Sequence, residues 1–281
     1  MLLLATLLGA ALLVVEPGQA PTVGPAHIPQ PAEVPAGGPA DEADIAEEPQ
    51  GGAGVSPVEL IPRIELRQTF TKLEGGVSVH DTTAEVDIQF LRRLLLRYQV
   101  PARLMETPAG QVSGIGDLQV GLIGIFASNA RAVGALLAGT ILNTATQPTL
   151  GAGKQQLEFG AGAAFKPYRW WLAYGVAQDQ FSVAGDAGRP NINQLASDFG
   201  SVLFGKEYNW LKLDLNTTVD FRSNSGVRFY GLAEVGSLVI GRVALFARAG
   251  TQLLGPRLVD YTMVAGVRYL FRLETSRPKP D

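Results

Sequence analysis

Residues 210–222 read "WLKLDLNTTVDFR", and they alternate without a break. Leu211, Leu213, Leu215, Thr217, Val219 and Phe221 fall on one face. Lys212, Asp214, Asn216, Thr218, Asp220 and Arg222 fall on the other. Strict alternation marks a β-strand with two unlike faces. This one is far longer than the usual strand of about 5–6 residues, and its polar face is unusually rich in charge.

The same device recurs along the chain. In "LEFGAGAAFKP" Glu158 and Lys166 oppose Leu157, Phe159 and Phe165. In "VRFYGLAEVG" Arg228 and Glu234 oppose Val227, Phe229 and Val235. In "GRVALFARAG" Arg242, Ala244, Phe246 and Arg248 oppose Val243 and Leu245, and in "MVAGVRYLFRL" Arg268 and Arg272 oppose Met263, Val267, Tyr269 and Phe271. "RIELRQTF" sets Arg63, Glu65 and Arg67 against Ile64, Leu66 and Phe70. "RRLLLRYQVPARL" sets Arg93, Arg97 and Arg103 against Leu94, Leu96, Tyr98, Val100 and Leu104. Twelve strands are expected, at 60–72, 78–89, 92–105, 115–127, 131–144, 154–166, 168–183, 193–206, 208–222, 226–238, 240–253 and 258–273.

With a rise of about 3.3 Å per residue, a strand of about 12 residues tilted by roughly 40° climbs roughly 30 Å, the thickness of a bilayer core. A charge facing lipid at midplane would cost about 2–4 kcal/mol for Arg or Lys, so the charged faces must look into a wet or paired interior. Arg93, Arg97, Arg103, Asp117, Glu158, Lys212, Asp214, Asp220, Arg222, Arg228, Glu234, Arg242, Arg248, Arg268 and Arg272 are the candidate lumen-lining residues. Their signs are mixed. Twelve strands enclose a narrow lumen that Arg–carboxylate pairs readily cross.

The links support the same arrangement. "KLEGGVS", "ETPAGQVSG", "TATQPTLGAG", "AGDAGRPNIN" and "RSNSG" alternate with the short "SNAR", "KPY" and "KEYN", as in a barrel with long loops at one end and tight turns at the other. "QFLRRL", residues 89–94, must also hold a tight turn, although it contains no Gly, Pro or Asn. Aromatics gather near strand ends (Tyr168, Trp170, Trp171, Tyr208, Trp210, Tyr269 and Phe271), where an interfacial girdle belongs. The fold expected is therefore all-β: a transmembrane, antiparallel, up-and-down β-barrel of about twelve strands over residues 59–273, with a C-terminal tail at 274–281.

Before the barrel, "MLLLATLLGAALLVV" has the length of a signal-peptide core and "PGQA" suits cleavage near Ala20, so 1–20 reads as a signal peptide. Residues 21–58 are Pro, Ala, Gly and acid, a composition expected to remain a disordered linker. No other apolar run reaches the length of a membrane helix. The chain has 281 residues, no Cys and a net charge of −3. These numbers exclude disulfides and zinc–thiolate sites and give no reason to expect a nucleic-acid partner. The location expected is the outer membrane, with both termini periplasmic. The partners expected are outer-membrane lipid, a small-molecule solute, periplasmic chaperones and the barrel-assembly machinery.

One pair of segments carries a resemblance. "SGIGDLQVGLIGIF" (113–126) and "NTATQPTLGAGKQQLEFGAGAAF" (143–165) hold Gly114, Gly116 and Asp117 at a strand start, then Pro148, Gly151 and Gly153 in a long loop. In these residues and in its order of segments the chain resembles the outer-membrane barrel family labelled MetA-pathway of phenol degradation. The resemblance implies an outer-membrane channel passing small solutes, hydrophobic or aromatic ones among them, by passive diffusion. From the residues themselves, Asp117 reads as a turn cap or salt-bridge partner, or alternatively as a constriction charge.

Other chemistry is sparse. His27 lies in the linker, and His80 in "VSVHDTT", beside Asp81, Thr82 and Thr83, is the only base a barrel-embedded hydrolase could use. "GAGK" (151–154) lacks the spacing, the Ser/Thr and the following helix of a phosphate loop. No cofactor, metal site or enzymatic activity is expected. The alternative to a channel is a structural or adhesion barrel with a filled lumen.

Overall fold

The computed structural model describes Ser56 and residues 60–205, 208–222 and 226–271. The expected signal peptide, the C-terminal tail, Arg272 and all of the expected linker except Ser56 lie outside the described residues.

Thirteen strands are found among the described residues: β1 (Arg63–Leu73), β2 (Ser78–Leu91), β3 (Leu94–Thr107), β4 (Gly110–Ile115), β5 (Leu118–Ser128), β6 (Ala132–Leu142), β7 (Lys154–Tyr168), β8 (Trp171–Gly185), β9 (Asn193–Phe204), β10 (Asn209–Asp220), β11 (Val227–Ile240), β12 (Val243–Leu254) and β13 (Val259–Leu270). Every chain neighbour but β4–β5 pairs antiparallel, and β1 pairs with β13 from Arg63↔Leu270 to Leu73↔Val259, closing the sheet on itself. Closure leaves no long unpaired edge, which is what allows apolar strands to be buried in lipid. The barrel has twelve staves, because β4 and β5 share one. β5 pairs with β3 from Leu94 to Gln99, and β4 pairs with β3 from Ala102 to Thr107. Gly116 and Asp117 form the break between them.

Alternation and register together set the faces. On β10, Leu211, Leu213 and Leu215 are 37–49% exposed, whereas Lys212 and Asp214 are 6–7% exposed. The hydrophobic side therefore looks outward and the charged side is buried inside. Ile64 and Leu66 alternate with buried Arg63 and Glu65 in the same way, and Leu245 with buried Ala244 and Phe246. The result is inverted relative to a soluble barrel.

The "QFLRRL" turn closes with Arg92 and Arg93 alone. The register shifts between Gln89 and Leu91, and Gln89 Nε2 donates to the Arg92 carbonyl at 3.0 Å. The bulge absorbs the geometry that a Gly or Asn would otherwise provide. "ETPAGQVSG" is not the long loop its composition suggests. It turns at Pro108 and Ala109 and returns as β4. Gln111, Ser113 and two glycines give β4 no apolar stripe, and at the long-loop end none is required.

Trp210 does not belong to a girdle. It shares the inward face of Lys212, is 3% exposed, and sits opposite Gly236, where a Cβ would lie 2.1 Å from its ring. Tyr174 opposite Gly200 and Phe246 opposite Gly266 repeat this inward aromatic–glycine pairing. Tyr168, Trp170 and Trp171 do form an outer aromatic stack, with centroids 5.4–6.4 Å apart.

Candidate functional site: the barrel lumen

The inward side chains fall into three levels. Nearest the short turns lies an apolar floor. Leu95, Ile123, Ala135, Leu172, Val202, Trp210, Ala244 and Phe246 cluster there, and Leu95, Ala135, Val202 and Ala244 have no exposed surface. Leu60, just before β1, packs against this cluster. Alternation had set Ala244 and Phe246 on the charged face, but inward residues were expected to be polar, and the floor was missed for that reason.

Above the floor runs a belt of ion pairs. Arg268 Nε reaches Glu65 Oε2 at 2.7 Å, joining the last strand to the first. Arg67 Nη1 bridges Glu65 at 2.9 Å and Glu85 at 2.8 Å. Arg63 Nη2 meets Glu85 Oε1 at 2.7 Å, and Arg97 binds Asp87 through Nε and Nη2, both at 2.8 Å. On the neighbouring strands beyond β13, Glu234 accepts from Arg248 Nη2 at 2.5 Å and from Trp210 Nε1 at 2.9 Å. Lys212 Nζ lies 3.2 Å from Asp214 Oδ2, and the Tyr174 hydroxyl also binds Asp214. Bidentate, charge-assisted contacts of this kind are geometrically specific, and pairing removes most of the field that isolated charges would create.

Toward the long loops one stretch of the wall is neutral, beside the charged Asp220 and Arg228. Thr71, Asn216, Tyr230, Leu232, Thr251, Val259 and Thr262 border a cavity of about 290 Å³, and none of these side chains is charged. On the opposite wall Gln119 Nε2 donates to Glu158 at 2.8 Å, and Gln180 pairs with Gln194.

Of the residues expected in the lumen, Arg97, Arg103, Glu158, Lys212, Asp214, Arg228, Glu234, Arg248 and Arg268 lie on inward strand positions, and Asp220 ends β10 on the same face. Three do not line the wall. Arg93 and Arg242 are exposed in two-residue turns, and Arg222 lies exposed past the end of β10. Alternation carried each of them onto the charged face, but the strand stops before it reaches them.

Asp117 supplies no free charge to the lumen. Its Oδ1 accepts from the backbone N–H of Thr144 at 3.2 Å and of Ala145 at 3.1 Å, and its Oδ2 from that of Ala152 at 2.7 Å. The loop carrying Pro148, Gly151 and Gly153 is thus bound to the break at Gly116 and Asp117, with Gly114 just before it in β4. His80 and Asp81 point to opposite faces. His80 packs its ring on Phe70, with centroids 4.9 Å apart, while inward Asp81 holds Arg103 at 2.7 and 2.9 Å. These neighbours cannot form a relay to one nucleophile. Among the described residues no group of three His, Cys, Asp or Glu side chains could hold a metal ion.

The fold is of the outer-membrane barrel class. The COG4313 outer membrane channel from Pseudomonas putida F1 superposes with a TM-score of 0.59 at 11% identity, over 75% of this chain and 94% of that one. A NanC porin gives 0.57 at 8% identity over 75% and 100% of the two chains. A KdgM porin in complex with disordered oligogalacturonate gives 0.53 at 8% over 75% and 99%. At these identities the likeness establishes the fold. No protein-family model and no curated protein matches the chain, so the phenol-pathway label has no family match behind it.

Proposed function

We propose that this protein is an outer-membrane channel through which small uncharged solutes diffuse passively. The observation that carries the reading is a closed barrel whose apolar side chains face out while acid–base pairs face in. Such a surface is stable in lipid, and such an interior serves no purpose in a soluble protein. The paired belt gives ions little reason to enter. A neutral stretch of hydroxyl- and amide-bearing wall above an apolar floor suits solutes with an apolar body and few polar groups, hydrophobic and aromatic molecules included. The chain performs no chemistry in this reading and needs no cofactor. The long loops face outside and both termini the periplasm, which the protein reaches through its signal peptide. Chaperones and the assembly machinery then deliver it to the lipid.

A second reading is a structural barrel with a filled lumen, favoured by the absence of exposed surface at Leu95, Ala135, Val202 and Ala244. Purified full-length protein in planar bilayers and in liposomes separates the two. A channel gives small, weakly ion-selective conductance steps and swelling with small neutral solutes. Silence in both assays overturns the channel reading in favour of the filled barrel.

A further inference from the structure

The loop at residues 143–153 is bound to the wall at more points than a solvent-exposed connection requires. Three of its amides converge on the Asp117 carboxylate. Thr146 N donates to the Ile115 carbonyl at 3.0 Å, and Ile115 N donates to Thr146 Oγ1 at 3.1 Å, so the loop covers the edge of β4 that lacks a strand partner. Arg103, whose guanidinium is held on the inward face by Asp81, also donates Nη1 to the Leu150 carbonyl at 3.0 Å. Leu150 itself is completely buried.

These contacts place the loop inside the mouth. Asp81, Arg103 and Gly114 are directly opposite one another across β2, β3 and β4 and therefore share the lumen face. A Cβ at Gly114 would lie 2.1 Å from Thr146 Oγ1 and 3.0 Å from Leu150 Cδ1, so the loop rests against that inward face. Gly151 is closed in from the other side, where a Cβ would lie 2.6 Å from both Asp117 oxygens.

We infer that Asp117 is the positioning residue of an inward-folded constriction loop, residues 143–153, and that this clamp sets the upper size of solute admitted at the long-loop mouth. The inference rests on the channel reading. The carboxylate makes no contact with solute. It acts by neutralising the convergent N–H dipoles of a loop that would otherwise leave the barrel mouth. Gly114, Gly116 and Gly151 provide the room for the backbone to approach.

The test uses Asp117→Ala in the full-length protein, with two readouts: the size cut-off in liposome swelling with graded uncharged sugars, and limited trypsin cleavage after Lys154, buried in the native barrel. The expected result is loss of the native cut-off, so that larger sugars swell the liposomes, together with new cleavage at Lys154. Gly151→Ala opens the clamp from the loop side and should do the same if Asp117→Ala does not fold. The chain has no cysteine, and the ideal Cβ at Gly114 lies 3.5 Å from Thr146 Cβ, within disulfide range. Oxidised Gly114→Cys/Thr146→Cys added to Asp117→Ala should restore the native cut-off, and reduction should abolish it again. Folded clamp variants with native cut-off and native cleavage overturn the inference. If no sugar swells liposomes containing even the native protein, the channel reading fails, and trypsin cleavage alone then decides the clamp.

Discussion

Glu234 shows how tightly individual residues are committed in the lumen. Its carboxylate is 1% exposed and serves both Arg248 and the Trp210 indole. Removing one member of a buried pair strands the other charge, which costs about 3–5 kcal/mol, whereas replacing both by apolar side chains is often neutral or better. Glu234→Ala should therefore lower stability by about 3–5 kcal/mol, and Glu234→Leu/Arg248→Leu should recover most of it. Urea unfolding in lipid vesicles measures both. Equal losses in the single and double variants would mean that the pair is not what holds this position. Trp210 teaches a complementary lesson. Two rules compete at that residue, because parity sends it inward while aromatic residues at strand ends suggest a girdle. Parity wins because Gly236 opposite leaves space for the indole, and the Trp–Gly pairing is visible only once register is known.

At the scale of the strands, hydrophobic alternation was a sufficient guide wherever lipid demands it. Eleven of the twelve expected strands correspond directly to a whole strand of the structure, and the twelfth, 115–127, overlaps β5. The pattern fails where the lipid ends. β4 lies beyond the apolar band and carries Gln, Ser and Gly, so no alternation announced it. Arg93, Arg222 and Arg242 continue the charged face past the last strand residue, and composition alone cannot show where pairing stops. The apolar floor was hidden for the opposite reason, since an inward Leu95 or Val202 does not look different from a lipid-facing one. The two faces of β10 should respond differently to the same substitution. Leu213→Arg places a cation against lipid near midplane and should cost about 2–4 kcal/mol. Asn216→Arg places it on the neutral stretch of the inner wall and should cost less than about 1 kcal/mol. Equilibrium unfolding in vesicles of defined lipid compares them directly, and similar costs for the two would contradict the assignment of faces.

At the scale of the whole molecule, closure and charge pairing are one design. The β1–β13 seam is tied by Arg268–Glu65 and continues through Arg67 and Glu85 to β2, and Arg97 and Asp87 extend the belt to β3. Because most belt charges are paired, the barrel gains cohesion without a strong field along its axis. Fold and inward face were legible in the sequence. The three-level lumen was not, because it depends on which inward residues meet across strands far apart in the chain. The native chain has no cysteine, so single cysteines report on one site only. The most direct test records single-channel current through Asn216→Cys and Leu213→Cys while a charged methanethiosulfonate is added. The account predicts a stepwise fall in conductance for Asn216→Cys, whose site borders the lumen cavity, and no change for the lipid-facing Leu213→Cys. An unchanged current at Asn216→Cys, or an equal fall at both positions, would contradict it.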